Sequence, residues 1–116
     1  MARKFYNRRW KSKDNELEIC QDIYTPDELN VIVGLGRDAV STMIKKSSLL
    51  SFANGLENRN DNIYSADSNY ADMEYFKAQK TENGYKFFVK GIFERAIELP
   101  FQKVDKIIQF LKFNCT

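Results

Sequence analysis

A chain of 116 residues with 43% hydrophobic and 14% aromatic content is sized for one folded domain and is too apolar to stay disordered. It has no histidine, which removes the commonest general base. Its two cysteines, Cys20 and Cys115, cannot supply a zinc site without histidine and are expected to be free thiols in a reducing compartment.

The formal net charge of +2 is unevenly placed. Arg3, Lys4, Arg8, Arg9, Lys11 and Lys13 all precede the first acid, Asp14, leaving 12 basic against 16 acidic residues, net −4, in the rest of the chain. A mildly acidic body therefore carries a basic arm. No apolar run approaches the ~20 residues of a membrane helix, and no apolar h-region follows the basic start. The expectation is no membrane partner and a cytoplasmic location in a bacterial or phage-infected cell. The leaning toward Lys, Asn, Ile, Phe and Tyr suits an AT-rich phage or mobile-element genome.

Residues 1–24 read as a basic arm leading into a β element. KFYNRRW mixes aromatics with arginines, ELEICQDIY alternates in period two, and KSKDN between them makes a turn. The arm can contact phosphate through its cations and stack bases on Phe5, Tyr6 or Trp10. It can equally be a strand with its aromatics in the core.

Residues 25–46 predict two short helices. Thr25 is placed as an N-cap, Pro26 at the first helical position, and Asp27 and Glu28 at the positive end of the dipole. Leu29, Ile32 and Val33 follow at helical spacing, Gly34 stops the helix, and Gly36 opens a second one over Arg37–Lys46 with Val40, Met43 and Ile44 as its apolar stripe. A G-x-G-x-x-A dinucleotide fingerprint also fits at Gly34, Gly36 and Ala39, with Glu57 as ribose acid, but the chain is too short for the remaining βα units. One unbroken helix over 26–46 would carry two glycines, at a cost of ~2 kcal/mol.

Tyr24, Thr25, Glu28-Leu29, the turn Gly34-Leu35-Gly36, then Arg37, Val40, Met43, Ile44 and Lys45 together resemble the helix-turn-helix of excisionases and of mercury-resistance-regulator-type transcription factors. The resemblance covers residues 24–46. It implies that Arg37–Lys46 is a recognition helix: Arg37, Asp38, Ser41, Thr42, Lys45 and Lys46 would face outward, Arg37 reaching a guanine edge and Lys45 and Lys46 touching phosphate. It also implies that the protein can act as a homodimer. Asn30 and Gly36 depart from the family's small packing residue and Ser/Thr cap.

Residues 48–52 read as a short strand and 54–72 as a long polar loop. Asp61, Asp67 and Asp72 match no calcium-loop spacing, so no metal or cofactor is expected. In residues 73–113, Asn83-Gly84 between alternating runs marks a hairpin, Ile92–Leu99 a third strand, and Phe101, Val104, Ile107, Ile108 and Leu111 the buried stripe of a closing helix after Pro100. A sheet face bearing Tyr75, Tyr85 and Phe87 with Lys77, Lys80 and Lys86 could bind single strands, a layout similar in topology to PUR-repeat proteins. Asp72, Glu74 and Lys77 approach a nuclease carboxylate–lysine set at the wrong spacing, and no enzyme is expected.

The expected fold is thus one α+β domain over residues 1–116, with a helix-turn-helix-like helix pair, an antiparallel sheet and a C-terminal closing helix. The expected function is sequence-specific duplex DNA binding as an accessory or regulatory factor of a phage or mobile element. The alternatives are an inhibitor that binds a host protein, and a single-strand DNA or RNA binder that uses an aromatic sheet face.

Overall fold

A computed structural model describes residues 7–21, 24–66 and 73–116. The chain is α+β and runs through one pattern twice: four antiparallel strands in sequence order, then a helix. The first pass is β1 (Asn7–Ser12), β2 (Asn15–Gln21), β3 (Glu28–Val33), β4 (Val40–Lys45) and α1 (Lys46–Glu57). The second is β5 (Asn62–Ala66), β6 (Tyr75–Lys80), β7 (Gly84–Lys90), β8 (Glu94–Pro100) and α2 (Phe101–Asn114).

The expected helix pair over residues 25–46 does not form. Those residues are a turn, β3, a 3-10 turn over Gly36–Asp38 and β4, paired from Glu28↔Lys45 to Val33↔Val40. The physical reason lies in an overlap of periods. Leu29 and Val33 are four apart and satisfy both a helix and a strand, but Val31 is the third member of the buried set while Ile32 lies on the other face. Val40, Thr42 and Ile44 repeat the period of two on β4. Val31, Ile32, Val33, Val40, Thr42 and Ile44 are all β-branched, which favours a pleated surface over a helix. Gly34 at φ +116° and Gly36 at φ +59° are needed for the hairpin loop, not for a helix stop. The Thr25-Pro26-Asp27 start closes only a turn, with the Glu28 N–H donating to the Thr25 carbonyl at 3.0 Å.

Two further expectations are corrected downstream. Residues 48–52 belong to α1, whose buried face is Leu49, Phe52, Ala53 and Leu56 at i, i+3, i+4 and i+7. Part of the polar loop over 54–72 is the end of α1 and strand β5; residues 67–72, which carry Asp67 and Asp72, lie outside the described residues. Ile92 and Phe93 are in the β7–β8 turn and not in the strand, and β5, within the expected loop, gives the second sheet four strands where three were expected. The closing helix follows Pro100 with Val104, Ile107, Ile108 and Leu111 buried.

The inner faces of the two sheets enclose one core. β3 and β4 lie against β7, with β4 also on β6 and β1, β2 and β3 on β8. Phe52 of α1 stacks on Phe76 of β6 at 4.2 Å between centroids, and Phe76 on Phe87 of β7 at 5.8 Å. The two passes interlock at their last turns. Arg95 at the start of β8 donates from Nε to the Asp38 carbonyl at 3.1 Å. Gly91 presses on β4 so closely that a Cβ there would lie 2.7 Å from the Ser41 carbonyl oxygen. Among the described residues no helix is long and apolar enough to cross a membrane.

Candidate nucleic-acid interface

With one face of each sheet committed to the core, the other face meets solvent, and the two outer faces differ in chemistry. On the β5–β8 sheet the outward positions fall into three rows across the strands: Tyr64, Lys77, Phe88, Ala96; then Ala66, Tyr75, Lys90, Glu94; then Asn62, Gln79, Lys86, Glu98. The alternation that sends Phe76, Ala78, Tyr85, Phe87 and Val89 inward places these residues outward.

The rings and cations of this face are in contact. Tyr64, 57% exposed, sits 5.5 Å from Tyr75 between centroids. Lys77 Nζ lies 5.2 Å from the Tyr75 ring and 4.8 Å from the Phe88 ring, and Lys86 Nζ lies 5.4 Å from the same Phe88 ring. All three distances are within cation–π range. The Tyr75 hydroxyl donates to the Glu94 carboxylate, and Lys77 Nζ stands 4.0 Å from the same group. That hydrogen bond, with burial and the Glu94 charge adding to it, pushes the Tyr75 phenol up to about 12.

The sign follows from which form the fold prefers. Neutral Tyr75 is favoured in the native state, so its contribution to stability is present below pH 10 and is lost between pH 10 and about 12. Burial also raises the Tyr85 phenol, so a spectrophotometric titration should show two late-ionising tyrosines; Tyr75→Phe should remove one of them, and Glu94→Gln should bring the Tyr75 ionisation to lower pH. Unchanged titration in both variants would refute the bond.

On the first sheet the outward positions are Asn7, Arg9, Lys11 on β1, Glu16, Glu18, Cys20 on β2, Glu28, Asn30, Ile32 on β3, and Ser41, Met43, Lys45 on β4. None is aromatic. Arg9 Nε lies 3.6 Å from Glu16 and 3.4 Å from Glu18, so its charge is answered within the sheet. Lys11 is registered against Glu16 and Lys45 against Glu28.

Compared with protein-family models, curated proteins and solved structures, the chain matches none.

The residues expected to read duplex DNA are not brought together. Arg3 and Lys4 lie outside the described residues; Arg8, Arg9 and Lys11 are on β1, and Lys13, at φ +52°, turns into β2. Arg37 is in the 3-10 turn before β4, Lys45 at the far end of β4 and Lys46 at the first position of α1. Ser41 is outward on β4, but Thr42 is 2% exposed with its hydroxyl turned into the core, because strand parity alternates where a helix would have kept both on one side. In the expected aromatic sheet face, Tyr85 and Phe87 are buried, and the β7 ring on the outer face is Phe88. Tyr64, Phe88 and Lys90 were missed. The signal for them is parity: Tyr85, Phe87 and Val89 form the wholly apolar and aromatic set of that strand, so the set containing Lys86, Phe88 and Lys90 must face water.

A groove of about 760 Å³ lies between the edge of β8 and the β1–β2 and β3–β4 turns of the first sheet. Its walls include Ala96 and Glu98 on β8, Asn83 before β7 and Asn15 at the β1–β2 turn. Asn15 Nδ2 donates to the Ala96 carbonyl at 2.9 Å and so caps part of that edge.

Proposed function

We propose that the protein binds single-stranded nucleic acid along the outer face of the β5–β8 sheet. The observation that carries the reading is that Tyr64, Tyr75 and Phe88 share one solvent-facing surface with Lys77, Lys86 and Lys90. The matching face of the first sheet offers no ring and balanced charge. Rings accept unpaired bases regardless of sequence, because every base has a π-face, while lysines track the phosphates. A paired base keeps its face inside the stack and cannot use such a surface. Major-groove reading by residues 37–46 is the weaker proposal, since those residues are a turn and an edge strand.

The test is fluorescence anisotropy with mixed-sequence single strands and the corresponding duplex over a salt series. Single strands should bind tighter. The slope of log K against log salt should be about −2 if the three lysines each neutralise one phosphate, at roughly 0.7 per contact. Tighter duplex binding, or no binding of either at low salt, would overturn the proposal.

A further inference from the structure

The β8 edge of this face carries acids where the β6 and β7 strands carry lysines. Glu94 and Glu98 stand two residues either side of Ala96, which shares its row with Phe88. In an extended strand that places each carboxylate roughly 7 Å along β8 from the Ala96 position. Ala96, the small residue registered against Phe88, and Glu98 both stand on the outward face of β8 and both line the groove at its edge. The two acids are not equivalent. Glu94 accepts the Tyr75 hydroxyl and neighbours Lys77, whereas the Glu98 carboxylate makes no hydrogen bond or ion pair with a described residue although Lys86 is its register partner. Lys86 is instead turned to the Phe88 ring.

We infer that Glu98 selects among the bases stacked on Phe88, favouring those with an exocyclic amine over uracil and thymine. This rests on the single-strand reading above. The phosphates are drawn to the lysine side and repelled by the acids, so a base on Phe88 directs its polar edge toward β8. A carboxylate there only accepts hydrogen bonds. The cytosine N4 amine and the adenine N6 amine donate to it, as in direct base readout, whereas uracil and thymine present the O4 acceptor at the same place. Cytosine and uracil differ at that position while sharing a ring of the same size, so they isolate the effect from stacking.

The experiment compares oligodeoxycytidine with oligodeoxyuridine of equal length, at mildly alkaline pH where cytosine N3 is unprotonated, for the full-length wild type, Glu98→Gln and Glu98→Ala. Wild type should prefer cytidine by about tenfold, the value of one charge-assisted hydrogen bond. Glu98→Ala should bring the ratio close to one, and Glu98→Gln, which can donate to O4 as well as accept from N4, should lower it. Circular dichroism should be unchanged, since Glu98 is exposed. A wild-type ratio near one, or variants that strengthen both ligands equally, would overturn the inference and leave single-strand binding standing, with Glu98 a simple repulsive charge. Binding of neither oligomer would overturn the single-strand reading together with this one.

Discussion

Phe88→Ala should weaken single-strand binding by about 1–3 kcal/mol, roughly 5- to 150-fold, while leaving the fold in place. Phe88 is half-buried on the outer face, with the ammonium groups of Lys77 and Lys86 both within cation–π reach of its ring. Its removal deletes the central stacking surface of the row Tyr64, Lys77, Phe88, Ala96 and frees two lysines to rotate away from the ligand. The stability cost is limited to two partly exposed cation–π contacts of about 0.5–1 kcal/mol each and some packing. The neighbouring substitution is the control. Phe87 is fully buried, stacked on Phe76, and Phe87→Ala should destabilise by about 3–5 kcal/mol while the remaining folded protein binds normally. Anisotropy and urea unfolding on the two variants should therefore move in opposite patterns. If Phe88→Ala binds as wild type does, the face is not the interface, whatever else the protein binds.

That these adjacent phenylalanines face opposite sides of the sheet was legible in the sequence only through strand parity, and the same parity decides which elements could be read from the sequence. Residues 75–114 announced themselves because several signals agreed. Asn83-Gly84 lies between alternating runs, and Pro100 stands at the junction of a strand and an i, i+3, i+4, i+7 stripe. Residues 25–46 misled because local capping chemistry and tertiary preference disagreed. Thr25-Pro26-Asp27-Glu28 opens helices in many chains, and a spacing of four is common to both periods. The deciding facts were the run of β-branched residues and the need of β2 for a partner: Leu17, Ile19 and Gln21 pair with Val33, Val31 and Leu29 across the sheet. A cross-strand pairing of that kind is invisible to a window of a dozen residues. The repeat itself was equally hidden, because the two passes share a pattern of strands and a helix and not a pattern of residues. The outer face of the first sheet carries glutamates and asparagines where the second carries rings and lysines. Recognising the candidate site needed the rows, and the rows needed the register.

Gly84→Ala should cost about 3 kcal/mol and lower the melting temperature by roughly 10 °C or more, a larger effect than alanine at Gly36, whose surroundings are open. The Asn-Gly pair marked this hairpin as if glycine were wanted for a left-handed turn. Instead Gly84 is the first residue of β7, and the left-handed glycines are Gly34 and Gly36. Gly84 is required by space. A Cβ there would fall within the Leu99 carbonyl oxygen and come to 2.8 Å from Pro100 Cα, both backbone atoms of the facing strand. Backbone can yield only by separating β7 from β8 where Gly84 pairs with Pro100. That end is fastened: the Phe101 N–H donates to the Asn83 carbonyl at 3.0 Å and the Thr81 N–H to the Gly84 carbonyl at 2.9 Å. Phe101 in turn packs edge-on against Tyr85 at 6.0 Å and under the Arg59 guanidinium at 4.3 Å. Gly36→Ala is the informative comparison. Its site is open, so it carries only the left-handed backbone penalty of roughly 1–2 kcal/mol. Thermal unfolding should rank wild type above Gly36→Ala and Gly36→Ala above Gly84→Ala; the reverse order would mean that β7 and β8 do not approach as described. The functional consequence follows from the register. Lys86 and Glu98 are the next outward pair along from Gly84 and Pro100, so forcing the strands apart there displaces the cation proposed to hold phosphate from the acid proposed to read the base. Gly84→Ala should therefore lose the cytidine preference in whatever fraction remains folded, before it loses stacking on Tyr64 and Tyr75 at the other end of the face.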